Sequence, residues 1–328
     1  MANSKMTDSL SRRSLLVQGA AVVTSVALTR SALGAAPRVH MRDLSLPAAA
    51  SGTIWIGGDL QASRIGLGTA EFSRLKAVPG DLSTIRAVLR RAYDLGVNFI
   101  DTSDAYGEAE RLIHDALYPY PSDLVIATKG GKTIGDVPGI FPLDGRPAHL
   151  RTACEGSLKR LGLEQIPLYY LHQPDPKVPL EDSMGELGKL QKEGKIRHIG
   201  VSNVNAEQLT TARSVVLVVA VQNQYNILTR ESDAILATCE REHMVFVPYS
   251  PLGGRRTKAL NANDARLAGL QALAGKRHVA LAEVVLAWML ARSPLMLPIP
   301  GTTRVDHVES DVAAAEVRLT KQEMEQIG

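Results

Sequence analysis

The amino-acid sequence predicts an α/β chain folded as a (β/α)8 barrel, the TIM-barrel architecture, and three observations carry the prediction. First, from Arg64 onward eight short apolar runs of strand length recur, near residues 64–69, 98–102, 124–129, 167–172, 196–201, 217–222, 245–249 and 296–299. Second, the segments between them carry apolar residues at helical spacing, as in Ile85, Val88, Leu89 and Ala92, or Ala282, Val285, Leu286 and Met289. Third, 328 residues with 45% hydrophobic and 22% charged content suit one large globular α/β domain. Strands that alternate with helices imply a parallel sheet, and eight such units close on themselves. The competing architecture, a doubly wound nucleotide-binding sheet, needs G-x-G-x-x-G at its first strand-helix turn. Here Gly66-Leu67-Gly68 continues as Thr69-Ala70-Glu71, so the third glycine is missing.

In chain order, residues 1–36 read as a twin-arginine export signal. Ser11-Arg12-Arg13-Ser14-Leu15-Leu16 precedes an uncharged, mildly apolar run from Val17 to Thr29, then Arg30 and small residues to Ala36. A disordered basic tail is the competing reading. A membrane anchor fits less well, because a spanning helix needs about 20 mainly apolar residues and this run contains Gln18, Gly19, Thr24 and Ser25. The leader holds Lys5, Arg12, Arg13 and Arg30 against Asp8, so the formal charge of +3 falls to 0 without it. The basic balance thus gives no support for nucleic-acid binding. Export would leave the protein periplasmic or secreted, with the twin-arginine machinery as a partner and folding complete beforehand in the cytoplasm. Residues 37–51, with Pro37, Pro47 and an alanine run, read as a flexible linker. Residues 52–328 form the barrel domain. It starts with a hairpin, Ile54-Trp55-Ile56 and Leu60 to Ser63 around Gly57-Gly58. The seventh connection holds two helical segments, Asp264 to Arg277 and Ala280 to Arg292. Cys154 and Cys239 fall in separate helices and read as buried packing residues rather than a disulfide.

Barrel active sites form at the C-terminal strand ends, and three successive ends here are polar. Asp101 ends the run Asn98-Phe99-Ile100, Lys129 ends Leu124 to Thr128, and His172 ends Leu168 to Leu171. Tyr106 lies in the loop after Asp101, in a chain with only 4% aromatic residues. A phenol has a pKa near ~10, so it donates a proton readily at neutral pH only if a neighbouring cation lowers that value. Taken singly, the Lys is a solvated edge charge, the Asp a helix cap and the His a satisfied core residue. Taken together at one rim, they form a candidate catalytic set. Metal-dependent hydrolysis needs several converging His or carboxylate ligands, and the remaining strand ends offer no histidine.

The segments "GVNFIDTSDAYG", "LVIATKGG", "LYYLHQPDP", "KEGKIRHIGVSN", "VQNQYNIL", "FVPYSPLGG" and "LPIPGTTRVDHV" resemble the aldo-keto reductase superfamily, in order, from about Arg64 to the C-terminus. Within it, "ALYPYPSDL", "VSNVNAEQL" and the Pro-Leu-Gly-Gly turn are similar to the bacterial pyridoxal-reductase (pyridoxine 4-dehydrogenase) subgroup. The resemblance implies that the hairpin plugs the end of the barrel opposite the active site. It also implies an NADP-dependent reductase of small aldehydes or ketones, with NAD also possible as cofactor. Tyr106 would protonate the carbonyl oxygen, Lys129 would lower the phenol's pKa, Asp101 would hold Lys129, and His172 would orient the carbonyl.

For the cofactor, the resemblance implies that Ser202, Asn203 and Gln224 hold the nicotinamide carboxamide while Tyr249 stacks on the ring. Core packing is the alternative role for Tyr249. Thr69, Ser250, Leu252 and Gly253 would line the nucleotide, and Gly301, Thr302, Thr303 and Arg304 would form an anion site before the last helix. Arg304 would clamp a 2′-phosphate, or else be a solvated surface arginine. His307 and Asp311 stand where the family often has an arginine and an asparagine, and an ionised Asp311 cannot donate to adenine. The loops 131–149 and 254–263 would shape the substrate pocket. The Gly253-Gly254-Arg255-Arg256 loop would close over the pyrophosphate, so that nucleotide travels with the folded protein on export; the alternative is a loop of ordinary mobility and a protein that works briefly before secretion. The alternative functions are a non-catalytic nucleotide-binding redox sensor and an enzyme working mainly as a sugar or alcohol dehydrogenase.

Overall fold

The computed structural model describes residues 45–74, 79–135, 140–253 and 265–327. The expected leader, the residues 254–263 and the arginines of the Gly253 loop lie outside these residues. The expected linker differs at its end, because Pro47–Ser51 forms a 3-10 turn. Ala48 of that turn is fully buried and its N–H donates to the Leu95 carbonyl.

In order, the elements are β1 (Thr53–Ile56), β2 (Leu60–Ser63), β3 (Leu67–Gly68), α1 (Pro79–Asp94), β4 (Phe99–Asp101), α2 (Ala109–Leu117), β5 (Val125–Gly130), α3 (Pro147–Leu161), β6 (Ile166–Leu171) and α4 (Leu180–Lys192). They continue as β7 (Ile196–Ser202), α5 (Ala206–Val215), β8 (Val218–Gln222), α6 (Asp233–Arg241), β9 (Val245–Phe246), α7 (Ala265–Arg277), α8 (Leu281–Arg292), α9 (Val305–Ala313) and α10 (Lys321–Ile327). Strands β3 to β9 pair in parallel and in sequence order, as a chain of strand-helix units requires.

The eighth expected strand is present as a closing segment rather than a regular ladder. The N–H groups of Leu297 and Ile299 donate to the carbonyls of Phe246 and Pro248, and the carbonyls of Pro298 and Pro300 accept from Gly66 and Gly68. Proline has no N–H to give, so Pro298 and Pro300 leave the side facing β3 without half of its donors. On that side the pairing is an isolated bridge, Gly68 to Gly301, while Met296 bridges to Phe246 on the β9 side, and the barrel still closes.

Two apolar layers follow from the period of two. Phe99, Val125, Ala127, Leu168, Tyr170, Ala220, Val245 and Leu297 point inward, and Ile54, Ile56, Leu60 and Ala62 of the hairpin pack with them. Their neighbours Ile100, Ile126, Tyr169 and Leu171 point outward into the layer shared with the helices. The hairpin closes the N-terminal end, as expected. Asn98 fixes it there, accepting from Ser63 N–H through Oδ1 and donating through Nδ2 to the carbonyls of Gln61 and Asp123.

Helix signals agree with the local sequence. Asn205 and Gln208 form a reciprocal capping box at the start of α5, and Gly162 ends α3 in the left-handed region at φ 63°. α8 is apolar on all sides and correspondingly buried, from Val284 to Met289. Among the described residues, no helix is long and apolar enough to cross a membrane.

Candidate active site

The strand phase that fills the barrel also delivers the polar groups. Asp101 follows Phe99 by two residues, Lys129 follows Ala127, and His172 follows Tyr170, so each continues the inward row at the C-terminal end. Parallel pairing puts Asp101 beside Ala127 and Lys129 beside Tyr170. The long lysine stem then brings its ammonium back to Asp101. Lys129 Nζ donates to Asp101 Oδ1 at 2.5 Å and to the Thr102 carbonyl at 2.7 Å. Gln222 Nε2 donates to Asp101 Oδ2 at 2.7 Å.

Tyr106, in the loop between β4 and α2, lays its ring across this pair with Lys129 Nζ 5.2 Å from the ring centroid. The His172 ring meets it edge-on at 5.8 Å, and Phe141 lies 5.9 Å away on another side. The four expected catalytic residues therefore converge at one place. Asp101, Tyr106 and His172 line a cavity of about 300 Å³, and Lys129 lies fully buried behind it.

Charge at this site is set by burial. Burial pushes the Asp101 carboxyl up and the Lys129 ammonium down, and their mutual contact pulls each back towards charge. His172 is held well below its ordinary value by burial and by the nearby Lys129 and Lys132, so its ring is neutral at pH 7. Lys132, which also lines the cavity, is lowered to about 8 by burial and by Lys129.

The Tyr106 phenol departs from the sequence expectation. Burial raises it well above its ordinary value, and Asp101 and Asp104 raise it further. Lys129, with its Nζ 5.2 Å from the ring centroid, does not offset this rise while the phenol is protonated. A phenol so raised keeps its proton throughout the neutral range. It releases that proton only to a stronger base, such as a developing alkoxide.

A second stretch of the cavity wall, continuous with the first through the Gln222–Asp101 bond, holds Ser202, Asn203, Gln222, Tyr249, Ser250, Leu252 and Gly301. Asn203 takes the left-handed region at φ 57°, which Asn tolerates better than most residues. Its Nδ2 donates to the His172 carbonyl and to Ser202 Oγ, both at 3.0 Å, and its Oδ1 accepts from the Tyr249 hydroxyl at 2.7 Å. Gln222, not the expected Gln224, belongs to this amide-bearing wall. Gln222 ends β8 in register with Ser202 and lines the cavity, whereas Gln224 lies past the strand, bridged to Tyr249, on an adjoining groove that Asn203 and Tyr249 share with Thr229, Glu231 and Ser232. Both glutamines share a strand phase, so only the end of the ladder separates them.

The remaining nucleotide candidates lie around this wall. Thr69 is fully buried and donates through Oγ1 to the Asp101 carbonyl at 2.9 Å, so it supports β4 rather than lining the cavity. Gly253 closes the turn from Ser250 through its N–H. Thr302 Oγ1 accepts from the Arg304 N–H at 3.1 Å and sits 3.2 Å from His307 Nδ1, with Thr303 between them in sequence, at the N-terminus of α9. Arg304 is exposed, with its guanidinium forked onto Asp306. Asp311 is 6% exposed, and burial together with Glu283 pushes its carboxyl up to about 7. Below that pH it is protonated and able to donate, a capacity the sequence alone denied it. Among the described residues there is no group of three or more His, Cys, Asp or Glu side chains placed to hold a metal.

Residues 64–328 match the Aldo/keto reductase family. An uncharacterised oxidoreductase of Schizosaccharomyces pombe is 38% identical over 283 residues, covering 85% of this chain and 89% of its own. Pyridoxine 4-dehydrogenase of Escherichia coli is 35% identical over 276 residues, covering 81% and 93%. Among solved structures, the glycerol dehydrogenase of Gluconobacter oxydans superposes with a TM-score of 0.76 at 29% identity, covering 85% of this chain and 94% of that one. An aldo/keto reductase from Klebsiella pneumoniae, in complex with NADP and acetate, superposes with a TM-score of 0.72 at 27% identity, covering 84% and 93%.

Proposed function

The chain belongs to the aldo/keto reductase family, and from that premise we propose that it reduces small aldehydes or ketones with NADPH. The observation that carries the reading is one cavity with two unlike walls. One wall holds the Asp101–Lys129 pair, Tyr106 and His172, and the other holds Ser202, Asn203, Gln222 and Tyr249. The second wall fits a nicotinamide. Its amides and hydroxyls match a carboxamide, and the Tyr249 ring, held by its bond to Asn203, offers a flat apolar face.

NADPH, when bound there, supplies the hydride. Tyr106 gives its proton to the carbonyl oxygen, and the buried Lys129 compensates the phenolate left behind. His172, neutral, hydrogen-bonds the same oxygen and orients it. Asp101, held by Lys129 and Gln222, keeps the ammonium in place. Arg304 is the group for a 2′-phosphate, exchanging Asp306 for it, and Asp311 stands near the adenine end. The 35% identity to a pyridoxine dehydrogenase and the aromatic edge of Phe141 at the cavity make a small aromatic aldehyde of the pyridoxal type the first substrate to try.

The test is turnover of a panel of carbonyl compounds, pyridoxal among them, with NADPH and with NADH. Oxidation of NADPH coupled to alcohol formation is expected. Nucleotide binding with no turnover of any carbonyl would replace the enzyme reading with that of a nucleotide sensor.

A further inference from the structure

Ser103 and Asp104 lie between Asp101 and Tyr106 in sequence and bond to the Lys129 carbonyl, with Ser103 also against His172, yet the proposed reaction uses neither. Ser103 is fully buried, and its single hydroxyl proton has a choice of acceptors. Its Oγ is 3.1 Å from Asp104 Oδ1, 3.1 Å from His172 Nδ1 and 3.5 Å from the Lys129 carbonyl, and it already accepts from the Ala105 N–H at 3.2 Å. We propose that Asp104 is a positioning residue that selects the ring tautomer of His172 through the Ser103 hydroxyl. The proposal rests on the reading of His172 as the group that hydrogen-bonds the carbonyl.

The proton count gives two states. With Asp104 ionised, Ser103 donates to Asp104 Oδ1 and its lone pair accepts from His172 Nδ1–H. The neutral ring then carries no proton on Nε2, which is an acceptor and cannot donate to a carbonyl oxygen. With Asp104 protonated, the carboxyl donates to Ser103 Oγ, and the Ser103 proton turns to His172 Nδ1. The ring proton then sits on Nε2, the donor that the reaction needs. His172 itself takes no extra proton in either state, because burial with Lys129 and Lys132 keeps it neutral.

Surrounding groups place this switch in the physiological range. Burial, then the buried Glu110 of α2, raises the Asp104 carboxyl to about 7, while the Ser103 bond, Arg160 of α3 and the Ala105 N–H oppose the rise. Glu110 is itself paired with Arg160 at 2.6 Å and bonded by Thr128 of β5. Lys129 of β5, Tyr106 and the Tyr169 hydroxyl of β6 complete the set facing Asp104. A raised carboxyl is protonated below its shifted value, so the Nε2–H ring belongs to the acid side and is lost as pH rises through neutrality. One transition state serves both directions of a reversible hydride transfer. Reduction and oxidation should therefore lose kcat/KM together above this pH, apart from the proton consumed in the overall equilibrium.

The experiment pairs a spectrum with a profile. In wild-type protein labelled with 15N-histidine, the His172 ring, assigned among eight histidines by its absence in His172→Gln, is expected to pass from Nε2–H to Nδ1–H between pH 6 and pH 8. In Asp104→Asn the ring is expected to hold one tautomer across that range, and the kcat/KM limb, on the order of tenfold per pH unit at its steepest, is expected to vanish. Ser103→Ala should uncouple the ring from Asp104 as well, and Ser103→Thr, which keeps the hydroxyl, should restore the coupling. A His172 tautomer that ignores pH in the wild type would overturn the proposal. So would a limb that survives Asp104→Asn and disappears in Lys132→Met, which would assign it to the neighbouring ammonium. The spectrum needs no turnover, so failure of the reductase reading would leave the tautomer result standing on its own.

Discussion

Lys129 and Asp101 form a charge pair almost wholly removed from solvent, with Nζ 2.5 Å from Oδ1. Their inward direction follows from counting by two from Val125, Ala127 and Phe99, and nothing more than strand phase was needed. Their charge states were not legible, because burial is a property of the closed barrel. A buried charge stripped of its partner typically costs about 3–5 kcal/mol. Lys129→Met is therefore expected to lower both stability and turnover, and the double variant with Asp101→Asn to recover stability alone, as read by urea denaturation beside steady-state rates. Recovery of turnover in the double variant would mean that the ammonium serves only to neutralise Asp101. Asp311 gives a second test. Its carboxyl is raised to about 7 in the folded chain, so the stability it contributes is full below the unfolded value of 3.8 and is lost as pH rises through 7. Asp311→Asn should remove part of the fall in stability between pH 4 and pH 7, leaving the part due to Asp104, which titrates in the same window. An unchanged slope would show that Asp311 is ionised throughout.

Among the elements, the seven regular strands and the helices between them were readable from periodicity, because each run is bounded by a change of period. The eighth was readable as an apolar run but not as a set of bridges. Its form depends on which side Pro298 and Pro300 face, which is settled only when β3 and β9 lie on either hand. The turn Pro47–Ser51 was hidden for a similar reason. An alanine run has no period of its own, and Ala48 is ordered by the Leu95 carbonyl, far away in sequence. Closure also explains the two glycines at the seam. A Cβ on Gly301 would meet the Gly68 carbonyl oxygen at 2.9 Å, and one on Gly68 would meet the Ile299 oxygen at 2.8 Å. Backbone cannot yield as a flexible side chain does, so Gly301→Ala is expected to destabilise by about 1–3 kcal/mol and to weaken nucleotide binding at the neighbouring wall. Thermal melting and nucleotide titration that both match the wild type would contradict the close approach as a constraint.

At the scale of the whole molecule, the barrel brings residues from β4, β5, β6, β7, β8 and the segment after β9 to one rim. A site legible as scattered strand ends becomes a single cavity. The loops expected to shape the substrate pocket are the least readable part of the sequence, because no period marks a loop. We also propose that residues 1–36 direct the folded, nucleotide-loaded protein out of the cytoplasm by the twin-arginine route. Replacing Arg12-Arg13 by Lys-Lys should then hold the protein in the cytoplasm, and an unaltered distribution on cell fractionation would end that reading. Hydride transfer to a carbonyl in this cavity is proposed to depend on Tyr106 as the proton donor, and Tyr106→Phe is the decisive variant. The phenylalanine keeps the ring that packs near Phe141 and His172 and removes only the hydroxyl. Carbonyl reduction by this variant is expected to fall by roughly two to four orders of magnitude while NADPH still binds as it does to the wild type. Turnover within a few-fold of the wild type, with binding intact, would contradict Tyr106 as the donor.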